Sequence, residues 1–235
     1  MNNTLTSGAP SSTTNTLLKK NNLSRKVVDA PTRAFHWLFA FCFLGAYITA
    51  ESESFRKLHV TLGYTMAGLL VFRILWGLFG PKHVRLSLMF RKISGISEWI
   101  KSFQKLRSLS PQDLSALKTI NWKQGQNLLM AIAVLALLVM VIPITLTGYA
   151  SYNDWGGRWL QKIHESVGEF YLFIVLSHLA LIALLSVLRL KNIAIPMITG
   201  KTAGPGPDLV RRDYRWIAGL LISAVLAWWI SQLFN

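Results

Sequence analysis

Long apolar stretches separated by short polar segments dominate the sequence. Five of them approach the length of about 20 residues that a membrane-spanning helix needs, and they cover residues 34–50, 58–79, 128–149, 163–188 and 216–234. The pattern predicts an all-α membrane protein with five spanning helices. A four-span alternative would leave the last stretch flat on the membrane surface. That stretch contains no charged residue, which favours spanning.

The polar segments divide the chain into three predicted parts. Residues 1–24 are rich in Asn, Ser and Thr without an apolar run, which predicts a disordered N-terminal tail and not a secretory signal. Residues 25–202 hold the first four helices, and apolar residues at helical spacing predict an amphipathic cytoplasmic loop at 81–126. Residues 203–235 form a linker with two prolines and then the fifth helix.

The composition and the placement of charge agree with a membrane protein. Hydrophobic residues make up 52% of the 235 and charged residues only 15%, while the net charge is +15. Lys and Arg gather before the first helix, between the second and third, and between the fourth and fifth. Because basic loops stay in the cytoplasm, the N-terminus is expected inside and the C-terminus outside. Contact of the basic loops with anionic lipid explains the net positive charge. The sequence contains no basic patch interleaved with aromatic residues, so it gives no indication of nucleic-acid binding.

Histidine is the residue on which any metal chemistry must depend. Cys42 is the only cysteine, which excludes thiolate iron–sulfur sites, disulfides within the chain and covalent c-type haem. Four histidines occur in predicted spanning segments, and an ionisable residue there is a functional hypothesis by default. A single histidine near a helix end is as often structural, but four together favour a site. They are His36 in the first helix, His59 in the second, and His164 and His178 in the fourth.

The spacing of these histidines predicts two pairs at different depths. Fourteen residues separate His164 from His178, an interval that returns to within about 40° of the same helix face and advances about 21 Å. In the predicted topology, the first helix brings His36 to the inner level of His178. The second helix brings His59 to the outer level of His164.

Two imidazoles that face each other from different helices suit a flat macrocycle between them. Helical neighbours four residues apart lie on one side, and small residues at that position would leave room for a porphyrin against the backbone. Glycine is also enriched in spanning helices for helix packing. The small residues are Ala40 after His36, Gly63 after His59 and Gly168 after His164.

Arg73 is a lone charge in the second helix, fourteen residues after His59. This interval returns to nearly the same face of the helix, so Arg73 is expected at the depth of the inner histidine pair and facing it. Arginine binds carboxylates bidentately. Arg73 is therefore a candidate for an inner haem propionate, with Arg33 as a second. The alternative is that Arg73 snorkels to the inner lipid headgroups.

Other metal-dependent or transport functions fit the pattern less well. Structural zinc needs four converging ligands, whereas the histidines form two distant pairs without supporting carboxylates or thiolates. A transporter would be expected to have broken helices with polar residues at the midplane, and only Pro143 and Thr145 suggest such a feature. A non-redox transporter remains a remote alternative.

Four segments carry a resemblance to a known family. VVDAPTRAFHWLFA, LHVTLGYTMAGLLVFRILWGLFGPKHVR, IHESVGEFYLFIVLSHLA and AIPMITGKT resemble the bacterial cytochrome b561 family, including the b-type cytochrome subunit of nickel–iron hydrogenases. The resemblance covers roughly residues 25–202. It implies a four-helix bundle in the bacterial inner membrane that holds two b haems, with His36, His59, His164 and His178 as axial ligands.

The resemblance also implies a function in electron transfer. Members exchange electrons between membrane quinone and a redox partner, such as a periplasmic c-type cytochrome or a hydrogenase. The expected function is therefore transmembrane electron transfer that links a periplasmic redox protein with the quinone pool. The alternative is a self-contained superoxide:quinone oxidoreductase, so the sequence leaves open whether the chain is an enzyme or an electron-carrier subunit. His83 is interpreted as an inner-surface residue that could line a quinone site.

Overall fold

Helices account for most of the structure, a computed structural model that describes residues 24–88, 101 and 122–234. The predicted tail at 1–24, apart from Ser24, and most of the predicted loop at 81–126 lie outside the described residues. The long helices are α1 (Ala30–Thr49), α2 (Arg56–Phe79), α3 (Trp122–Tyr152), α4 (Gly157–Leu188) and α6 (Arg215–Phe234). The shorter elements are β1 (Ser24–Lys26), α5 (Ile195–Thr199) and β2 (Lys201–Ala203).

Among the described residues, four helices are long and apolar enough to cross a membrane by length and composition. They are Glu53–Phe79, Gln124–Tyr152, Gly157–Leu188 and Arg215–Gln232, and they coincide with the last four predicted spans. Helix α1 carries Arg33 and His36 in its first turns and does not meet the same criterion. The structure therefore agrees with a helical multi-pass membrane protein with four candidate spans among the described residues, and a total of five spans is not confirmed because α1 is not among the four.

The first four helices pack as a bundle, and the last one lies against its side. Helix α3 runs along α4, α1 runs along α2, and α2 also packs on α3. Helix α4 packs much less closely on α1 and α2 than it does on α3. Helix α6 packs mainly on α1, and the indole N–H of Trp229 donates a hydrogen bond to Thr65 in α2 at 2.9 Å. The bundle therefore leaves its loosest seam between α4 and the α1–α2 pair.

A middle layer of three side chains fills this seam at half depth. The three side chains are Phe43, Met66 and Tyr171. Each lies seven residues, or about two helical turns, from the histidine or histidines of its own helix. Tyr171 is only 1% exposed, and its ring centroid lies 5.0 Å from that of Phe43. Met66 and Tyr171 are buried in the main hydrophobic core, and Phe43 is partly buried against it. Packed apolar residues therefore separate the two levels at which the histidines lie.

A small strand pair joins the segment before α1 to the segment after α5 at the His36 end of the bundle. Strands β1 and β2 are antiparallel, with Arg25 opposite Thr202. The backbone N–H of Lys26 donates to Asp208 Oδ1 at 2.7 Å. At the start of α1, the backbone N–H of Ala30 donates to Asp213 Oδ1 at 3.0 Å. The linker before α6 is thus bonded to the segment that begins the bundle.

Replacing Asp213 by alanine is expected to lower the free energy of unfolding by roughly 1 kcal/mol, because the first turn of α1 loses an acceptor. Burial pushes the pKa of Asp213 upward, but the hydrogen bond from Arg215 and the charges of Arg33 and Lys26 outweigh it and hold this pKa below its usual value. The stabilisation is therefore present at neutral pH and is lost as acid protonates the carboxylate.

Thermal denaturation in detergent, followed by circular dichroism at pH 7 and under acid conditions, measures this difference. Asp213→Asn keeps an acceptor without the charge and should lose less stability at pH 7. Equal stability of Asp213→Ala and the unmodified protein at pH 7 would contradict this role.

Candidate functional site

The four membrane histidines lie in two pairs at opposite ends of the bundle. The ring centroids of His59 and His164 are 6.1 Å apart, and their planes are nearly perpendicular at 87°. His36 and His178 are close enough to interact electrostatically. Each pair joins α4 to a different helix, α2 in one case and α1 in the other. The structure thus brings together the partners that the fourteen-residue interval predicted.

In the His59–His164 pair, one nitrogen of each ring is held by the neighbouring helix. Nδ1 of His59 donates to the carbonyl oxygen of Ala46 at 2.8 Å, and Nδ1 of His164 lies 3.2 Å from the hydroxyl of Thr147. These contacts leave Nε2 of both rings available to a ligand. Metal-binding histidines are commonly oriented in this way, through a hydrogen bond from the other ring nitrogen.

In the His36–His178 pair, each ring has a buried nitrogen without a partner. Nδ1 of His36 and Nδ1 of His178 make no hydrogen bond with any described residue. Buried polar atoms nearly always have a partner, and leaving one unpaired in an apolar interior costs free energy. The unpaired nitrogens therefore point to a group that is not part of the polypeptide.

The spacing of the His59–His164 pair fits two ligands on one metal ion. An imidazole nitrogen lies about 2 Å from its metal, so rings on opposite sides of one ion have centres roughly 6 Å apart. The 6.1 Å between His59 and His164 agrees with this geometry. Within residues 24–88 and 122–234, no three His, Cys, Asp or Glu side chains converge as a metal cluster. The donor sets are therefore two imidazoles each.

The small residues near the histidines leave space for a flat group. A Cβ added to Gly63 or Gly168 would meet no heavy atom within 4 Å, whereas one added to Gly45 would lie 2.8 Å from Leu62. Ala40 is exposed. Open space one turn from His59 and His164, together with bis-imidazole donor sets, fits a haem.

Sequence reasoning missed several residues that shape this site. Gly148 in α3 lies against the His164 ring, where a Cβ would be 2.9 Å from Cε1. Thr147 and the Ala46 carbonyl contact the rings of His164 and His59, as described above. Only Gly148 and Thr147 had a signal in the sequence, as small and polar residues within an apolar helix.

A cavity of about 390 Å³ opens at the His36 end of the bundle. We call it the Asp29 cavity. Its walls are largely apolar, and its polar lining consists of Asp29, Thr32, Arg73, His83, Arg85 and Asn127. The cavity therefore combines a buried acid, a histidine and two arginines close to the cytoplasmic side predicted from the charge pattern.

Asp29 is the best-anchored group in this cavity and is completely buried. It is the N-cap of α1, where Oδ1 accepts from the backbone N–H of Thr32 at 3.2 Å. Oδ2 accepts from the indole N–H of Trp76 at 3.1 Å and from Nε2 of His83 at 3.3 Å. The sequence carried a signal for the cap alone, since Asp29 precedes a proline in the first turn of a helix.

The two candidate arginines differ in how they are held. Arg73 borders the Asp29 cavity and interacts electrostatically with Asp29, and among the described residues its guanidinium donates only a long 3.4 Å hydrogen bond, to the Val84 carbonyl. Arg33 donates to the Ile198 carbonyl at 3.1 Å and lies 3.8 Å from Asp213. Arg73 is therefore the freer of the two to bind another group, while Arg33 joins α1 to the linker.

Comparison with known proteins gives one result for the greater part of the chain. A model of the prokaryotic cytochrome b561 family matches residues 27–200. No curated protein and no solved structure matches the chain. The matched residues contain all four histidines and helices α1 to α4, and they end before α6. Members of this family bind b-type haem. The chain belongs to the prokaryotic cytochrome b561 family.

Proposed function

We propose that the protein transfers electrons across the bacterial inner membrane through two b haems, and so links a periplasmic redox protein with the quinone pool. The observation that carries this proposal is the arrangement of four histidines as two pairs at opposite ends of the bundle. His59 and His164 hold the outer haem, and His36 and His178 hold the inner one. Each bound haem supplies a one-electron couple.

The polypeptide positions the ligands and controls access to them. The Ala46 carbonyl and the Thr147 hydroxyl orient the outer imidazoles, while Gly63 and Gly168 leave room beside them. Two imidazoles from the chain would hold each haem, which would then supply one-electron transfer and not oxygen binding. The chemistry that fits this arrangement is outer-sphere transfer of single electrons.

Arg73 is the proposed partner of an inner propionate, with Arg33 as a second. The weak hydrogen bond of Arg73 to Val84 supports its availability. Arg33 already contacts Ile198 and Asp213, so its contribution is the smaller one. In this role both guanidinium groups compensate carboxylate charge at the inner end.

The proposed topology has five spans, with the N-terminus in the cytoplasm and the C-terminus in the periplasm. The clusters of Lys and Arg on one side support this orientation. It places the His59–His164 pair near the periplasm and the Asp29 cavity near the cytoplasm. Electrons then enter from an outer donor and reach quinone near the inner surface.

The first test is the absorption spectrum of the purified protein. We expect a Soret band, a pyridine haemochrome assay that gives two b haems per chain, and a redox titration that resolves two components. Oxidation of the reduced protein by quinone in proteoliposomes tests the link to the quinone pool. A folded protein without a Soret band would overturn the proposal.

A self-contained superoxide:quinone oxidoreductase is the second candidate. The observation on its side is a group of four cations at the His59 end, namely Arg56, Lys57, Arg158 and Lys162, but Glu51, Glu53 and Asp154 lie in the same loops, and this balance favours a protein partner over superoxide. A cationic surface would steer an anionic substrate. Stopped-flow reduction by superoxide, compared with reduction by a periplasmic c-type cytochrome or a hydrogenase, separates the two candidates.

A further inference from the structure

The two histidine pairs differ in the hydrogen bonds that their rings make with the chain. We propose that this difference gives the outer haem the lower reduction potential, so that electrons pass downhill from the His59–His164 pair to the His36–His178 pair. The inference adds Thr147 as a positioning residue that acts through His164. It rests on the proposed function, because it takes one haem at each pair, and it gives that function a direction.

His59 donates to a backbone carbonyl that its own helix does not use. The Ala46 carbonyl belongs to the last turn of α1, where carbonyls have no N–H partner within the helix, and the N–H of Ala50 bonds to Tyr47 instead. Nδ1 of His59 reaches this oxygen at 2.8 Å, and the Thr49 hydroxyl shares it at 3.3 Å. Since a carbonyl only accepts, Nδ1 of His59 carries the proton and Nε2 keeps a lone pair for iron.

The Thr147 hydroxyl fixes the same tautomer in His164. Its oxygen lies 3.2 Å from Nδ1 of the ring, and its proton is donated to the Pro143 carbonyl at 2.7 Å. The hydroxyl therefore accepts from His164. Gly148 allows this approach, because a Cβ there would lie 2.9 Å from Cε1 of the ring. His164 thus also directs an unprotonated Nε2 to the ligand.

The rings of His36 and His178 lack such acceptors. Nδ1 of each is buried and makes no hydrogen bond with any residue that the structure describes. Whichever nitrogen of these rings binds the iron, no carbonyl or hydroxyl of the described chain polarises the other one. The inner imidazoles are therefore the less basic pair.

The basicity of the axial ligands sets the reduction potential through the oxidised state. A hydrogen bond from the nitrogen that does not bind the metal raises the basicity of the nitrogen that does, and a more basic imidazole donates more charge to iron. Ferric iron is stabilised more by this donation than ferrous iron, so the potential falls. Both outer ligands have the hydrogen bond and both inner ligands lack it. The outer haem is thus expected at the lower potential.

Charged groups at the two ends do not reverse this order. At the inner end, Arg73 interacts electrostatically with Asp29 and Arg33 lies 3.8 Å from Asp213, so each arginine has an acid nearby. At the outer end, the exposed charges are of both signs, and water and salt screen them. Glu165 interacts electrostatically with the neighbouring histidine ligand. Its negative charge favours the oxidised state of the outer site.

The step that this order favours transfers one electron from the outer site to the inner site. Oxidation at the His59–His164 pair accompanies reduction at the His36–His178 pair, while no bond forms or breaks and no proton moves. The donor is the outer redox partner of the proposed function, and the final acceptor is quinone. The hydrogen bonds of the outer ligands thus provide a driving force for inward transfer.

The test is a redox titration of the full-length protein with its haems, followed by absorbance. The component that disappears in His59→Ala is assigned to the outer haem, which gives the order of the two potentials in the unmodified protein. Thr147→Val then removes the hydroxyl and keeps the shape of the side chain. Thr145→Val is the matched control, since Thr145 in the same helix donates to the Val141 carbonyl at 2.7 Å and makes no hydrogen bond with a described histidine.

We expect the outer component to have the lower potential and Thr147→Val to raise it. This substitution should change the distribution of the electron between the two haems about tenfold, which corresponds to about 59 mV for a one-electron couple. Thr147→Ser keeps the acceptor and should have the unmodified potential. Thr145→Val should leave both potentials unchanged, and the inner component should not move in any of these three variants.

Three results would overturn the inference. The first is an outer component with the higher potential in the unmodified protein, and this measurement decides even where Thr147→Val loses the outer haem. The second is an unchanged outer potential in a Thr147→Val protein that keeps both haems. The third is an equal shift in Thr145→Val, which would show a general effect of packing in α3. A folded protein that does not bind two b haems would instead contradict the proposed function itself.

Discussion

Replacing His164 by alanine is expected to remove one b haem and to leave the other in place. The substitution deletes one of the two imidazoles of the outer pair, whose ring centroids lie 6.1 Å apart. His36 and His178 lie at the other end of the bundle, beyond the middle layer, and their geometry does not depend on His164. The pyridine haemochrome assay should therefore fall from two haems per chain to one, and a redox titration should lose one component.

The matched control for this substitution is Glu165→Ala, because Glu165 is the exposed neighbour of His164 in the same helix. That variant should keep both haems. His178→Ala should remove the other haem and leave the component that His164→Ala lost. Loss of both haems from a His164→Ala protein that keeps its helical circular dichroism would contradict two independent sites.

The substitution Gly63→Leu is expected to exclude the outer haem without changing either of its ligands. A Cβ at this position would meet nothing within 4 Å, so the polypeptide itself can accept a side chain there. Leucine would instead occupy the space proposed for the porphyrin, one turn from His59. We expect the haem content to fall from two to one, as measured by the haemochrome assay, while the thermal stability of the haem-free protein hardly changes.

Gly68 in the same helix provides the control. A Cβ added to it also meets nothing within 4 Å, but Gly68 is exposed. Gly68→Leu should therefore retain both haems. Equal haem content in the two variants would show that the space beside Gly63 is not a haem site.

The pairing of the histidines could be predicted from the sequence because helix geometry is regular. A fourteen-residue interval returns nearly to the same face, so His164 and His178 had to lie at two depths on one side of α4. The four later spans were equally predictable from hydropathy alone. The first span is not confirmed, because the residues that suggest function in α1, Arg33 and His36, are the ones that lower its hydropathy.

The contacts of the Asp29 cavity could not be predicted in this way, because they join residues far apart in sequence. Asp29 meets His83 across 54 residues, and Ala30 meets Asp213 across 183. No periodicity encodes such contacts, since they depend on where the helices end and how the linkers return. The same limit explains why α6 was predicted as a helix while its bonding to the start of α1 was not.

The middle layer has a consequence for the energetics of the proposed function. Tyr171, Cys42 and Val141 are almost completely buried at that depth, and electrons can tunnel through packed side chains while protons need a chain of polar groups or water. An electron that crosses this layer therefore travels without a compensating proton. Such transfer is electrogenic, and moving one charge across the full membrane against 100 mV costs about 2.3 kcal/mol. In the cell, membrane voltage would thus act directly on the balance between the outer donor and the quinone.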